Sequence, residues 1–484
     1  MLFYHICLKI NKISPFSCSF QGGRFNFAVL FPLIFHWNIR LWGACVVLFT
    51  ALSVTGCSRD AHETSEVSKC GEAQFDSVGS GYFSMGKLCG VDIAVVRSVV
   101  GKDTLVHKFV MMDSVTELQG TDLRRRRFPE EWTLAKVLRV PLKRVVALST
   151  SQVGYLLRLG LRDNIVGVSD GNYIVDSILY ERTRPSSDHG HTSEFVQSIG
   201  YDADALEKLM ALHPDLIFDF TTGGDYDNYE QIARTSLPLM LTSEWQESSP
   251  LAKMEWIKLY GTLFGVRSLA DSIYEQEKNA YETLRTLIAH TSRSNGGVAG
   301  VSPARGGSEL QGASEGEASP TNDSLPTSYF QLPTTACPRV LAGMSYGGVW
   351  HAPGGSSFTA NLIRDAGGCY LWASDSSREL TFSFEQVFAL ADSVDVWVNP
   401  SMFAAAEEIV ALEPRVKNIR AFKEKNVFQN DGRRGLGLGN DFYEDAVTRP
   451  AELLWNFAKC INGAVPRVNS LDTTYKWYRN IYNF

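Results

Sequence analysis

What this sequence lacks narrows it first. There is no P-loop, no GxSxG and no HExxH, so three common catalytic patterns are missing. Nine cysteines are scattered without a CxxC or a Cys/His spacing that suggests zinc. A basic surface is also missing: 46 Lys and Arg stand against 53 Asp and Glu in 484 residues. The one basic run, Arg124 to Arg127, reads as a solvated loop, and nucleic acid is not an expected partner. Nothing reads as catalysis, so no enzyme and no intrinsic cofactor are expected.

The ends of the apolar runs carry more information. Arg40 is followed by sixteen uncharged residues, Leu41 to Gly56, and then by Cys57. That is a charged n-region, an apolar h-region and small residues before a cut. Val54-Thr55-Gly56-Cys57 resembles a bacterial lipobox, whose new N-terminal cysteine carries a lipid. Residues 1–56 are therefore expected to be a signal peptide, and 57–80 a polar tether lipidated on Cys57. Sixteen residues are short for a membrane span, which needs about 20. A second apolar run, Phe25–Ile39, makes the leader long, and the true start is expected downstream of Met1. Removing the leader takes four basic residues and no acidic ones, leaving 42 against 53. About 430 mature residues suffice for two or three domains. Five cysteines remain beyond Cys57, and a Cys70–Cys89 disulfide is open outside the cytoplasm.

Residues 81–140 begin with a strand-like pattern. "VDIAVVRSVV" and "LVHKFVMM" flank the turn "GKD", which predicts a small antiparallel β extension. From Arg144 short apolar strands alternate with helical spacing: "RVVALS", "NIVGVS", "DLIFDF" and "LPLMLT". That alternation predicts an α/β lobe at 141–248 with a parallel sheet covered on both faces. Residues 249–291 read as a connecting helical segment. Ser292 to Thr335 are too rich in Gly, Ser, Ala, Pro and Thr to bury a core, and read as a disordered insertion. The alternation returns in "PRVLAGMS", "VDVWVNP" and "NVFQN", which predicts a second α/β lobe at 336–484. The fold class is α/β, two Rossmann-like lobes joined by one long helix. Glu207–Leu212 and Glu385–Leu390 share Glu-x-x-x-Ala-Leu before an apolar strand, which suggests a duplicated lobe.

Four stretches carry a family resemblance. They are "RVVALSTSQVGYLLRLGLRDNIVGVS", "ALEKLMALHPDLIF", "EWQESSPLAKMEWIKLYGTLFG" and "WHAPGGSSFTANLIRDAGGCYLW". Together they resemble the substrate-binding proteins of ABC importers for ferric siderophores, haem or cobalamin. "NDFYEDAVTRPAELL" is similar to the lipoprotein members seen in Bacteroidetes. The resemblance runs from about Gly81 onward, except the insertion. It implies a monomer in the periplasm, held at the membrane by its lipid. Its ligand would be an iron or cobalt chelate, and its partner an ABC permease. It also implies that Glu207 and Glu385, one per lobe, dock onto permease arginines, since two separated carboxylates fix orientation. The bland alternative is two solvated helix glutamates.

A ligand between the lobes would meet the loops at the strands' carboxyl ends. In the first lobe these hold Ser149, Thr150, Gln152, Tyr173, Thr222 and Trp245. In the second they hold Tyr346, Trp350, Ser356 and Asn399. Tyr173, Trp245, Tyr346 and Trp350 offer the flat apolar area that suits a large chelate, whereas Trp256 and Trp397, inside regular elements, are assigned to core. Gly354-Gly355-Ser356 before a helix could present N–H groups to an anion, or Ser356 or Ser357 could simply cap the helix. His351 is a candidate metal ligand, with a hydrogen-bonding loop residue as the plainer reading. "DGRRGLGLGND" places Arg433 and Asn440 at a lip of the cleft, where Arg433 could hold a carboxylate or phosphate. Asp188-His189-Gly190-His191 reads as a surface loop. Two rival functions remain: a tetrapyrrole chelatase using His351 and Glu244, and a surface haemophore without a transporter.

Overall fold

A computed structural model describes residues 71–113, 128–185, 195–224, 227–294, 337–400, 405–463 and most of 465–483. The leader, Cys57, Cys70, the Arg124–Arg127 run, His189, His191 and nearly all of the insertion lie outside the described residues.

The extension is a five-stranded sheet in sequence order: β1 (Gln74–Phe75), β2 (Phe83–Leu88), β3 (Val91–Val100), β4 (Asp103–Met112) and β5 (Lys136–Arg139). Its first three pairings are antiparallel, and Gly101 takes the positive φ of 61° that the β3–β4 turn needs. The last pairing, β4 with β5, is parallel, and β5 lies beyond the 81–114 stretch that read as antiparallel. Parallel neighbours need a crossover of about a dozen residues or more, and residues 113–135 supply that length. The tether is also shorter than expected. Residues 74–75 pair with β2, the Gly79 N–H donates to Glu255 at 2.6 Å, and the Ser80 hydroxyl donates to Glu247.

The first lobe contains β6 (Val145–Ala147), α1 (Thr150–Arg158), β7 (Ile165–Val168), α2 (Ser177–Arg182), β8 (Gln197–Ser198), α3 (Ala205–Leu212), β9 (Leu216–Asp219), α4 (Tyr229–Ala233) and β10 (Leu239–Leu241). The strands are all parallel, in the order β10-β9-β6-β7-β8. Every residue of β6, β9 and β10 is buried, as a sheet covered on both faces requires.

Three helices lead to the second lobe: α5 (Pro250–Glu255), α6 (Ile257–Leu263) and α7 (Arg267–Ser294). The 28 residues of α7 span about 42 Å at 1.5 Å per residue. Ala270 and Tyr274 at its start belong to the first lobe's core, whereas Tyr281, Leu284 and Ile288 belong to the second lobe's. The helix is thus built into both lobes.

The second lobe contains β11 (Arg339–Ala342), β12 (Met344–Tyr346), β13 (Val349–Pro353), α8 (Phe358–Asp365), β14 (Cys369–Tyr370), β15 (Glu379–Ser383), α9 (Phe384–Phe388), β16 (Val396–Val398), α10 (Ala406–Leu412), α11 (Arg420–Lys423), β17 (Val427–Gln429), α12 (Pro450–Asn462) and β18 (Arg479–Asn480). Its main sheet has the order β14-β11-β16-β17-β18, with only β18 antiparallel. Four strands of each lobe therefore repeat one order, β7-β6-β9-β10 and β14-β11-β16-β17. The lobes differ in the fifth strand, β8 beyond β7 and β18 beyond β17. The shared Glu-x-x-x-Ala-Leu segments precede the corresponding strands β9 and β16.

A three-stranded antiparallel sheet, β12-β13-β15, was not legible in the sequence. It turns "VWHAP" from the expected loop into strand. Cys337 and Cys369 form a disulfide at the edge β11–β14, and Cys89 is also disulfide-bonded.

Candidate functional site

Segments that follow the strands meet across the lobes. The Thr150 hydroxyl, just after β6, donates to the Tyr443 carbonyl at 3.2 Å. One turn further along α1, Gly154 lies against the backbone of Glu444, where a Cβ would come 2.0 Å from the carbonyl oxygen. The Asn361 side chain on α8 donates to the Ser248 carbonyl at 2.7 Å. The strongest tie is the glycine-rich loop. The Leu438 N–H donates to the Asn172 carbonyl at 2.7 Å, and a Cβ on Gly437 would come 2.5 Å from the same oxygen. Gly435 and Gly439 lie similarly close to the backbone of Ile174 and Tyr173. The alternation Gly-Leu-Gly-Leu-Gly therefore turns its glycines to the first lobe and leaves Leu436 and Leu438 exposed. This loop is an inter-lobe clasp rather than an open lip.

Glu444 completes the clasp. Its carboxylate accepts the N–H groups of Val175 and Asp176, both at 2.8 Å, and burial pushes its pKa up to about 8. Behind the Gly154 crossing lies a polar cavity of about 420 Å³, where Arg158, Arg162, Arg433 and Arg449 face Asp176, Asp441, Glu444 and Asp445. Arg158 of the first lobe reaches Glu277 on α7 at 2.9 Å. Burial and the neighbouring Glu452 on α12 push Glu277 up to about 8. The junction therefore carries acids that hold protons near neutral pH.

The expected ligand residues divide sharply. Tyr173 and Trp245 stand on strand-end segments of the first lobe, 48% and 42% exposed. Ser149 caps α1, and its N–H donates to the Gln152 side chain at 2.9 Å. Gln152 is a correction: it is buried and donates to the Thr242 hydroxyl at 2.9 Å, so it supports the loop from beneath. Thr222 is exposed but folds onto Asp227, its N–H at 2.7 Å and its hydroxyl at 3.1 Å.

In the second lobe Tyr346 sits 69% exposed at the end of β12. Trp350 is the clearest correction. It is buried in β13 and donates to the Ala342 carbonyl at 3.2 Å, because alternation along that strand turns it inward. Trp256 and Trp397 are also buried. The Ser356 hydroxyl donates to the Ser376 and Ser377 carbonyls, and Ser357 caps α8. The N–H groups of Gly354 and Ser356 donate to the Arg378 and Ser377 carbonyls, which corrects the anion-cradle reading of that turn. His351 points to Glu379, its Nδ1 3.8 Å away, while Glu244 accepts from Ser151 in the other lobe, so the rival chelatase pair is not assembled. No group of three metal-ligating side chains occurs among the described residues. Arg433 is held by Asp441 at 3.1 Å instead of offering a free anion site. Asn440 accepts from the Phe442 N–H at 3.1 Å, as a local cap. Asn399 follows β16 with φ 51°; its side chain meets the Tyr478 hydroxyl, and its side-chain oxygen has no partner among the described residues.

Both docking candidates are exposed on helices. Glu207 on α3 has no ion-pair partner among the described residues. Glu385 on α9 accepts from Arg415 at 2.7 Å, and the same guanidinium grips Glu413 with two bonds of 2.7 Å.

Residues 145–296, from β6 through α7, match the family model described as periplasmic binding protein. Over those residues the chain is similar to periplasmic binding proteins. An uncharacterized lipoprotein of Methanocaldococcus jannaschii is 20% identical over 313 residues, and the match spans 63% of this chain and 63% of that relative's length. Among solved structures, a periplasmic haem-binding protein from Pseudomonas aeruginosa is 16% identical with a TM-score of 0.44, covering 68% of this chain and 95% of that one. A periplasmic vitamin B12-binding protein of Vibrio cholerae is 14% identical with a TM-score of 0.38, covering 66% and 97%.

Three residues of the two lobes were not singled out from the sequence. Asp219 ends the apolar strand "LIFD", and burial raises it to about 7. Lys253 on α5 lies 5.3 Å from the Phe358 ring, and burial lowers its pKa. Glu444 sits inside "NDFYEDAV". A lone charge at the tip of an apolar strand was the available signal for Asp219. Nothing local marked the other two.

Proposed function

We propose that this protein is the substrate-binding component of an ABC importer, lipid-anchored through Cys57 outside the cytoplasm. It takes a metal chelate, a ferric siderophore, haem or cobalamin, between its lobes and docks through Glu207 and Glu385. The observation that carries this reading is the repeated four-strand lobe, with strand-end segments meeting across one helix built into both cores. Such strand ends are where open α/β sheets bind ligands. The Cys337–Cys369 disulfide supports an oxidising compartment. The exposed aromatics Tyr173, Trp245 and Tyr346 supply apolar area for a large ligand. The stiffness of α7 and the clasp imply a small closure motion.

The test is binding by the chain from Ser58 to Phe484 of cyanocobalamin, haemin and a set of ferric siderophores, followed by tryptophan quenching and ligand absorbance. Saturable binding with the ligand recovered intact is expected. Recovery of demetallated ligand would instead support the chelatase. An uptake assay with Glu207→Ala and Glu385→Ala together separates an importer component from a haemophore, which would lose nothing.

A further inference from the structure

The repeated strand order sets two residues at the same place in the two lobes. In the first, Val145, Val146 and Ala147 of β6 pair with Leu216, Ile217 and Phe218 of β9. In the second, Val340, Leu341 and Ala342 of β11 pair with Val396, Trp397 and Val398 of β16. The next residue is Asp219 in one and Asn399 in the other. Asp219 ends β9 and Asn399 directly follows β16, the strands paired with β6 and β11, at the carboxyl edge of each sheet.

Both also carry a buried side-chain oxygen with no partner among the described residues, Oδ2 of Asp219 and Oδ1 of Asn399, whose amide otherwise meets the Tyr478 hydroxyl. Asp219 is 4% exposed, and among the described residues its other oxygen accepts only the Phe220 N–H, at 2.8 Å. A buried acceptor left without a donor costs free energy, so such a group calls for an explanation. Tyr201 and Tyr229 stand within electrostatic reach of Asp219. Tyrosine faces favour a cation. The cations that sequence reasoning offered for an anionic ligand are already engaged: Arg433 with Asp441 at 3.1 Å and Arg434 with Asp431 at 2.9 Å.

We propose that Asp219 and Asn399 form a matched pair of acceptors, one from each lobe, for a ligand that presents positive charge or N–H donors. This rests on the solute-binding reading above and narrows its ligand class. A cationic or amide-bearing chelate fits; a ligand that meets these oxygens with carboxylates or phenolates does not, since at a pH above about 7, where Asp219 is ionised, it would face like charge.

The test uses the chain from Ser58 to Phe484 and two ferric chelates of opposite charge, cationic ferrioxamine B and anionic ferric enterobactin, with neutral ferrichrome, haemin and cyanocobalamin beside them. The expected result is at least tenfold tighter binding of ferrioxamine B than of ferric enterobactin. Asp219→Asn should weaken ferrioxamine B about tenfold and change ferrichrome less than twofold. Asn399→Gly keeps the left-handed backbone and should weaken it as well. Tyr201→Leu, at an exposed position, guards against a folding defect at the buried sites and should also weaken it. Tighter binding of ferric enterobactin or haemin would overturn the inference while leaving the solute-binding reading intact. So would ferrioxamine B affinity within twofold of the parent in all three variants. Binding of none of the five chelates by the parent would overturn the solute-binding reading, and the inference with it.

Discussion

The two lobes share a four-strand order and differ in what they add to it. The first adds β8, parallel, and leaves Trp245 exposed near its strand ends. The second adds β18, antiparallel, and a small extra sheet that buries Trp350. The same residue type, predicted for the same task in both, thus became a surface in one lobe and core in the other. The repeated strands set where a ligand can sit. The additions decide which side chains are left to meet it.

The largest effect should come from that pair of tryptophans. Trp350→Ala is expected to cost about 3–5 kcal/mol of stability, the usual range for emptying a buried aromatic site. Trp245→Ala should stay within about 0.5 kcal/mol, as for other surface changes, while weakening ligand binding. Thermal and denaturant unfolding beside a binding titration checks both. Equal stability losses would erase the contrast between the lobes.

Next is the clasp. Gly437→Val places side-chain atoms against the Asn172 carbonyl and should cost about 1–3 kcal/mol, as overpacking does. Small-angle scattering should show the lobes further apart, which a purely local strain would not produce.

The third is a pH effect. Glu444 holds its proton to about pH 8 when folded, whereas an unfolded glutamate releases it near about 4.3. The folded state therefore binds the extra proton between those values, and stability falls as pH rises through that window. Denaturation midpoints across this range should show the decline, and Glu444→Gln should make it shallower, leaving the shares of Glu277 and Asp219.

The smallest effect belongs to the docking faces. Arg415→Gln should lower the thermal midpoint only slightly: the Glu385 pair is exposed and solvent-screened, and the cost comes from the buried Glu413, which loses its two bonds to the same guanidinium. It frees Glu385 to resemble the unpaired Glu207. If both glutamates dock, the variant should alter the salt dependence of binding to its permease, measured by surface plasmon resonance.

The fold was legible where pattern and burial coincide. "LIFD" and "VWV" are apolar runs bounded by turn signals, and both are strands buried on two faces. The helix "RPAELLWNFAKCI" likewise matches α12 closely. The three-stranded sheet was hidden because "WHAP" mixes apolar residues with a histidine and a proline, which reads as a loop. The site was less legible for a different reason. Trp350, Gln152 and Ser356 have binding-type side chains, but which way each points depends on partners distant in sequence. Asp219 and Asn399 become equivalent only once the strand order is known. The clasp glycines were visible as an unusual run, yet their purpose depends on a backbone about 260 residues away, between Asn172 and Gly437.

The clasp has one more support. Trp477 is buried and donates to Asp441 at 2.8 Å, and Gly432 packs on the Lys476 carbonyl. The lobes' fastening is thus anchored by residues that come late in the sequence, long after the first lobe and α7. During synthesis the clasp therefore has no anchor until that late stretch is made. A chain interrupted before Trp477 would keep α7 and the Asn361–Ser248 tie between its lobes but would lose the support of its clasp.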